Sequence, residues 1–543
     1  MEVNRRRFLL ALLPVLLLAA SGEARSQSLG MVPGRDYPEW VVQWSPLNDV
    51  GSLSRKLPSA SPAMLRLLYP VEKIGLFWSG ANPGALAWEV ADSRNEMSVA
   101  RAGVDGEYRR PLDPAASRVS RFGGSGWQPL GERGAIAGGA LFDRTIRDPS
   151  SISDVNEPYS SSPLVVTDTN VTALRTSRAR LDGAGGWRLG GWGLGLALGY
   201  DTRTTATVAA PFVRRNRAVR PAATVGLARS FRDGRLQVGV RGGWQGGEET
   251  VILSAVGQTG VVYQLEGYRE VPRQAIVAEP YYRRMSRAAR VAGAGASGSV
   301  KATRWVAYAE GVRMDERQTN QRADDPPEDR WATTGTVMGA AFQLPFSRER
   351  AVLTIQGRIA TLDGEANVFP ASTGLTTAER EANGSIELRL GKPSDRWLAL
   401  VRASLLSEHR ERNDSLAGVG TIIDGITPGV AVEIGRKVSS RLMLIGGYGL
   451  ARYSGSGTIP SAASRGPLFQ QIFAPELDIA TSVLQAQAAT FAGHWQMKPG
   501  TAIWVTGRVE RLVSQSADRP LAPGGHRAAR SVSFGVTMTG DQR

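Results

Sequence analysis

From Arg380 to Leu390 the side chains change character at every step. Glu381, Asn383, Ser385, Glu387 and Arg389 fall on one face, and Ala382, Gly384, Ile386, Leu388 and Leu390 on the other. Successive side chains of a strand point to opposite sides, so this is the pattern of a two-faced β-strand. Trp397, Ala399, Val401, Ala403 and Leu405 continue it against Arg396, Arg402 and Ser404. Similar runs cover Arg235–Trp244, Arg350–Thr361, Gly425–Gly435, Thr501–Arg511 and Arg530–Thr539. They are about ten residues long, the length with which a tilted strand crosses a bilayer.

The connections repeat as regularly as the strands. Short turns at Arg232–Gly234, Lys301–Ala302, Pro345–Arg348, Lys392–Asp395, Arg436–Ser440 and Gln496–Gly500 alternate with long polar stretches near 201–219, 245–286, 314–330, 362–379, 407–424, 454–480 and 512–527. Membrane barrels show this asymmetry, with short periplasmic turns and long extracellular loops. The punctuation predicts an all-β fold: a transmembrane antiparallel up-and-down barrel of about 18 strands, between 16 and 20, whose last strand returns to the periplasm. Val251–Val256 and Val261–Glu266 read as an extra hairpin inside the long 245–286 stretch. Trp187, Trp192, Tyr200, Trp244, Trp305, Trp397, Tyr448, Tyr453 and Trp495 fall near strand ends, where an interfacial aromatic girdle belongs.

The N-terminus differs. Asn4-Arg5-Arg6-Arg7 precedes an apolar run from Phe8 to Ala20, and Gly22-Glu23-Ala24 or Ala24-Arg25-Ser26 offers small residues for cleavage. This is the layout of a signal peptide over residues 1–26. Arg5-Arg6-Arg7-Phe8-Leu9 also resembles a twin-arginine signal, so both export routes stay open. Residues 27–95 are Pro- and Ser-rich, with a short helix expected at Ala63–Tyr69; they form a periplasmic tail or a small plug. Residues 96–543 are the barrel.

Composition narrows the class. The 543 residues include 63 Gly and no Cys. Thiolate metal sites, thiol nucleophiles and disulfides are therefore excluded. Mean hydropathy is −0.19, and no long apolar run follows the leader, which excludes a helical membrane protein. The net charge of +15 comes almost entirely from Arg. These arginines are spread along the chain, interleaved with apolar residues and with Glu nearby, and no nucleic-acid-binding motif accompanies them. Outer-membrane lipids, the barrel-assembly machinery and a small solute are the expected partners; nucleic acid is not.

One stretch resembles a known family. Gly106-Glu107-Tyr108-Arg109-Arg110-Pro111 closes Ser93–Pro111, then come Gly139-Ala140-Leu141-Phe142-Asp143, Glu157-Pro158-Tyr159 and Ser162–Thr169. This order resembles uncharacterised outer-membrane β-barrel proteins of Bacteroidetes type, best over residues 80–232. The resemblance implies a barrel in the bacterial outer membrane and no particular activity.

Candidate chemistry is sparse. His409, His494 and His526 have no metal-ligand spacing, and nothing resembles a nucleophile elbow. No catalytic residue, metal or cofactor is expected; a barrel hydrolase is the least favoured reading. Gly293-Ala294-Gly295-Ala296-Ser297-Gly298 matches a dinucleotide fingerprint as a string but lies within a strand, where small residues ease close approach. Asp324, Asp325, Glu328 and Asp329 read as a solvated acidic loop rather than a calcium site.

The phase of the strands points Arg241, Arg290, Arg304, Arg350, Arg358, Arg389, Arg402 and Arg508 into the lumen, with Glu310, Glu381, Glu387, Glu433 and Glu510. Two readings stand. The charges line a water-filled pore or substrate-specific channel, or they pair across strands and brace the wall of a plugged barrel that binds through its loops.

Overall fold

The computed structural model describes residues 74–77, 82–90 and 92–540, apart from short stretches that are chiefly 108–113, 149–163, 168–171, 256–259, 321–328, 459–468 and 516–524. The leader, the Ala63–Tyr69 helix and Asp324, Asp325 and Glu328 lie outside the described residues.

Eighteen strands close into one antiparallel sheet. They are β1 (Ser93–Gly106), β2 (Ala116–Leu130), β3 (Gly134–Asp148), β5 (Leu174–Leu189), β6 (Trp192–Thr207), β7 (Phe212–Phe231), β8 (Leu236–Ala255) and the eleven from β11 (Tyr281–Val300) to β21 (His526–Gly540). Each pairs with its neighbour in the chain, and β1 pairs with both β2 and β21, which closes the circle. The remaining three, β4 (Leu164–Thr167), β9 (Gly260–Glu266) and β10 (Arg269–Ile276), form a separate small sheet.

The barrel strands are 14 to 20 residues long, well beyond the expected ten. The surplus has one cause. In β6, Trp192, Leu194, Leu196, Leu198 and Tyr200 face outward, followed by Thr202, Thr204 and Ala206. In β16 (Trp397–Asp414), Trp397 to Leu405 is the apolar part, and Ser407, His409, Glu411 and Asn413 succeed it on the same face. The outward apolar residues thus occupy the half of each strand next to the short turns. About nine residues at 3.3 Å and a tilt near 40° give a band of roughly 25 Å, the height of a lipid-facing belt. Beyond it the outer face meets water, the period-2 contrast disappears, and the sequence reads as loop. Most of the stretches expected to be long loops are therefore strand: β14 (Ala351–Val368) and β15 (Ala371–Leu390) are separated by two residues where an eighteen-residue loop was expected.

A closed sheet wearing such a belt is the surface of an outer-membrane β-barrel. Trp187, Trp192, Tyr200, Trp244, Trp397, Tyr448 and Trp495 are exposed on it. Tyr453 departs from that set: it points inward, 2% exposed, and its hydroxyl donates to Ala480 O. The expected Val251–Val256 hairpin also differs. Residues 251–255 remain in β8, and Val261–Glu266 pairs instead with β10 inside the barrel.

The belt predicts depth-dependent sensitivity. Leu196→Arg, at mid-belt, should cost about 2–4 kcal/mol, whereas Thr204→Arg on the same face should cost about 0–1 kcal/mol. Unfolding of both variants by denaturant in lipid vesicles measures the difference.

Candidate functional site

The lumen is arranged in tiers, beginning at the short-turn end with small and apolar residues. Ala135, Ala137, Ala184, Ala197 and Ala228 are buried there, together with Leu76, Phe77, Leu86 and Ala87 from the N-terminal segment. That segment folds as a turn at Pro83–Ala85 running into a single helical turn, α1 (Leu86–Glu89). Asn82 organises it. Its side-chain oxygen accepts from Gly84 N at 2.9 Å, and its amide nitrogen donates to Leu227 O at 3.2 Å and Val240 O at 3.1 Å, on β7 and β8.

Glycines on the inner wall make the approach possible. A Cβ on Gly226 would lie 2.7 Å from Pro83 Cδ, and one on Gly186 would lie 2.8 Å from Pro83 O and 2.9 Å from Leu86 Cβ. Glu89 accepts from Phe77 N at 3.0–3.1 Å, tying the two ends of the segment together. Arg188 donates to Ala87 O and lies 5.9 Å over the Trp88 ring. Leu398, Leu400, Met443, Ile445, Ala492 and Trp504 form a second buried inward cluster at the same end.

The middle tier is charged. Arg241 meets Glu310 at 2.6 Å, with both side chains nearly buried. They belong to β8 and β12 (Thr303–Asn320), two strands apart, and span β11 over Gly293, which is in register with both. A Cβ at Gly293 would stand 2.9 Å from Glu310 Cγ. The glycines of the 293–298 run therefore serve close packing: Gly295 lies in the same way between Leu76 and Tyr308. Arg402 Nε donates to Glu387 at 2.9 Å, Arg287 reaches Glu316 at 2.8 Å, Arg358 lies 3.9 Å from Glu381, and Arg508 pairs with Glu510. A small recess lies beside this tier, lined by Val312, Val337, Leu362, Glu379, Glu381 and Glu408, with Arg410 3.5 Å from Glu408.

The long-loop end holds the third tier. The β9–β10 hairpin and α2 (Ala474–Ala480) turn inward. Tyr268, between the hairpin strands, packs on Phe469 and Phe473 with ring centroids at 6.0 and 5.3 Å. Its backbone N–H donates to Asp414 at 2.9 Å, and its hydroxyl shares a hydrogen bond with Thr421. Burial pushes its phenol pKa up. Gln264 donates to Asp329 at 2.6 Å, so that acid of the expected loop cluster is a wall residue holding the hairpin.

Of the residues that the sequence directs inward, Arg241, Glu310, Arg358, Glu381, Glu387, Arg389, Arg402, Glu433, Arg508 and Glu510 lie on the inner face of the sheet. Arg304 and Arg350 sit at the short-turn rim and are exposed. Arg290 is a correction. It is exposed on the outer face, in register with Trp244 and Arg313. Its neighbours Ala288, Ala292 and Ala294 give no contrast between faces, so only the ladder reveals its side. His409 also faces outward and lies 2.8 Å from Asp424. The strand pattern does not mark the seat of the N-terminal segment; its signal is the inward Gly/Ala series Ala184, Gly186, Gly193, Gly195, Ala197, Gly226 and Ala228.

Residues 84–538 match the model of a family described as a family of unknown function, DUF6850. The chain belongs to this family. The match spans all eighteen barrel strands almost end to end and begins inside the Asn82–Glu89 segment, at Gly84. No curated protein matches. Among solved structures, the siderophore receptor PiuA from Acinetobacter baumannii is similar at 8% identity, over 83% of this chain and 82% of that one, with a TM-score of 0.40. The ferric yersiniabactin uptake receptor FyuA from Yersinia pestis aligns at 10%, over 83% and 80%, with 0.41. The TodX monoaromatic hydrocarbon channel aligns at 11%, over 90% and 100%, with 0.31. These values are too low to transfer a ligand or a mechanism.

Removing one partner of a buried pair strands the other charge. Arg241→Ala should destabilise the barrel by about 3–5 kcal/mol, and Arg241→Leu combined with Glu310→Leu should recover most of that loss. Denaturant midpoints of the two variants check this.

Proposed function

We propose that this family member is a gated, substrate-specific outer-membrane conduit rather than a permanently open pore. The observation that carries the reading is the seat of residues 82–89 on the inner wall, where Asn82 bonds to two strands and glycines clear the space. Three features support it further. The charged middle tier offers paired Arg and Glu to a polar solute. The recess beside Glu379, Glu381 and Glu408 sets carboxylates next to Arg410 at this tier. The β9–β10 hairpin and α2 narrow the opposite mouth. A solute would exchange one partner of an Arg–Glu pair for its own charge, and its passage requires the 82–89 segment to leave its seat.

The seat is the place to test. Purified wild-type protein in planar bilayers should conduct little, in brief events. Gly195→Val with Gly226→Val removes the space for Pro83 and Gly84 and should raise steady conductance several-fold. Large steady conductance in the wild type, unchanged by these substitutions, would sink the gated reading and favour an open pore.

A further inference from the structure

The outer face carries an arginine cluster at the seam where the barrel closes. Four adjacent strands, β21, β1, β2 and β3, meet there. One rung places Arg530 of β21 beside Gly103 of β1, Arg118 of β2 and Ile146 of β3. The next rung toward the short turns places Val532, Arg101, Ser120 and Arg144 in the same order. The four arginines alternate with small or apolar residues, and all four are exposed. Strands about 4.8 Å apart and alternate residues about 6.8 Å apart put their Cα atoms within an area of roughly 15 by 7 Å.

The rung below is apolar. Phe534, Val99, Phe122 and Phe142 lie side by side, between 43% and 56% exposed, and the last two rings are stacked at 6.5 Å. The arginines stand eight to twelve residues from the short-turn ends of their strands: 93 to 101, 130 to 118, 134 to 144 and 540 to 530. At about 3.3 Å per residue and 40° of tilt, they are roughly 20–30 Å up, at the upper edge of the lipid belt. Fixed cations there face the headgroups of the outer leaflet.

The number of arginines gathered on two adjacent rungs separates this face from the rest of the circumference. Elsewhere at this height outward arginines stand in pairs or singly, as with Arg290 beside Arg313 on β11 and β12, Arg380 on β15 and Arg452 on β18. On the seam, none of the four is ion-paired to a carboxylate among the described residues. The outward acids of these strands, Asp105 and Asp148, share one rung further up.

We propose that this cluster binds a phosphorylated glycolipid of the outer leaflet, with the arginines on its phosphates and the Phe534–Val99–Phe122–Phe142 row against its acyl chains. Guanidinium forks match phosphate oxygens geometrically, which a diffuse attraction to lipid would not require. Two phosphates on one headgroup fit a grid of this width.

Native mass spectrometry of the purified full chain tests the idea, with a bisphosphorylated acyl glycolipid, its dephosphorylated form and inorganic pyrophosphate as probes. The wild type should retain the bisphosphorylated lipid at least roughly tenfold better than the dephosphorylated one. Combining Arg101→Gln, Arg118→Gln, Arg144→Gln and Arg530→Gln should abolish that preference. Arg284→Gln with Glu248→Gln, a removal of charge elsewhere on the outer face, should leave it intact. Heat-modifiable gel mobility reports whether each variant forms the barrel; if the fourfold variant does not, Arg101→Gln with Arg144→Gln should still lose most of the preference. Equal retention of both lipids, a preference that survives these substitutions, or displacement by pyrophosphate alone would overturn the proposal.

Discussion

The structure depends on the requirement that no backbone polar group be left unpaired in lipid. Water is absent there, so every N–H and C=O of the belt must find a partner within the sheet. Pairing β1 with β21 meets that demand and leaves no edge. Closure then divides all side chains into two populations. Alternate residues face the hydrocarbon for about nine positions and solvent beyond; the others face the lumen along the whole strand.

Inside, the sheet solves a second problem. Eighteen strands enclose more space than their own side chains fill. At the short-turn end, Ala and Gly on β5 to β8 leave room for chain from outside the barrel, and Asn82 fixes it by hydrogen bonds to backbone carbonyls. At mid-height, long charged side chains reach toward each other and are neutralised in pairs. The charged tier is thereby both a structural brace and a polar lining: the same Arg–Glu contacts that hold neighbouring strands together are the groups available to a visiting solute.

Much of this was legible in the chain. Strand number and most starts follow from period-2 runs and alternating connections, because lipid enforces the contrast along half of each strand. Strand ends were not legible, because above the belt both faces are polar and alternation carries no hydrophobic signal. The inward phase of Arg241, Glu310, Arg358 and Glu381 could be counted from adjacent apolar positions. That of Arg290 could not, since alanines surround it. The seat of Asn82–Glu89 was written in glycines, but a glycine in a strand signals only that something comes close, and naming the visitor takes three dimensions. The seam cluster was equally hidden: Arg101, Arg118, Arg144 and Arg530 are scattered in sequence and meet only when the circle closes.

The Arg241–Gly293–Glu310 row also bears on how the strands find one another during assembly. A slip of one residue would turn apolar side chains into the lumen and is penalised everywhere. A slip of two keeps every side chain on its proper face, and the lipid belt barely distinguishes it from the native pairing. The row does distinguish it: displaced by two, the arginine would cross β11 at Val291 or Gly295, away from its glutamate. A charge pair reaching over a missing side chain thus works as a vernier, selecting among alignments that hydrophobicity treats as equivalent.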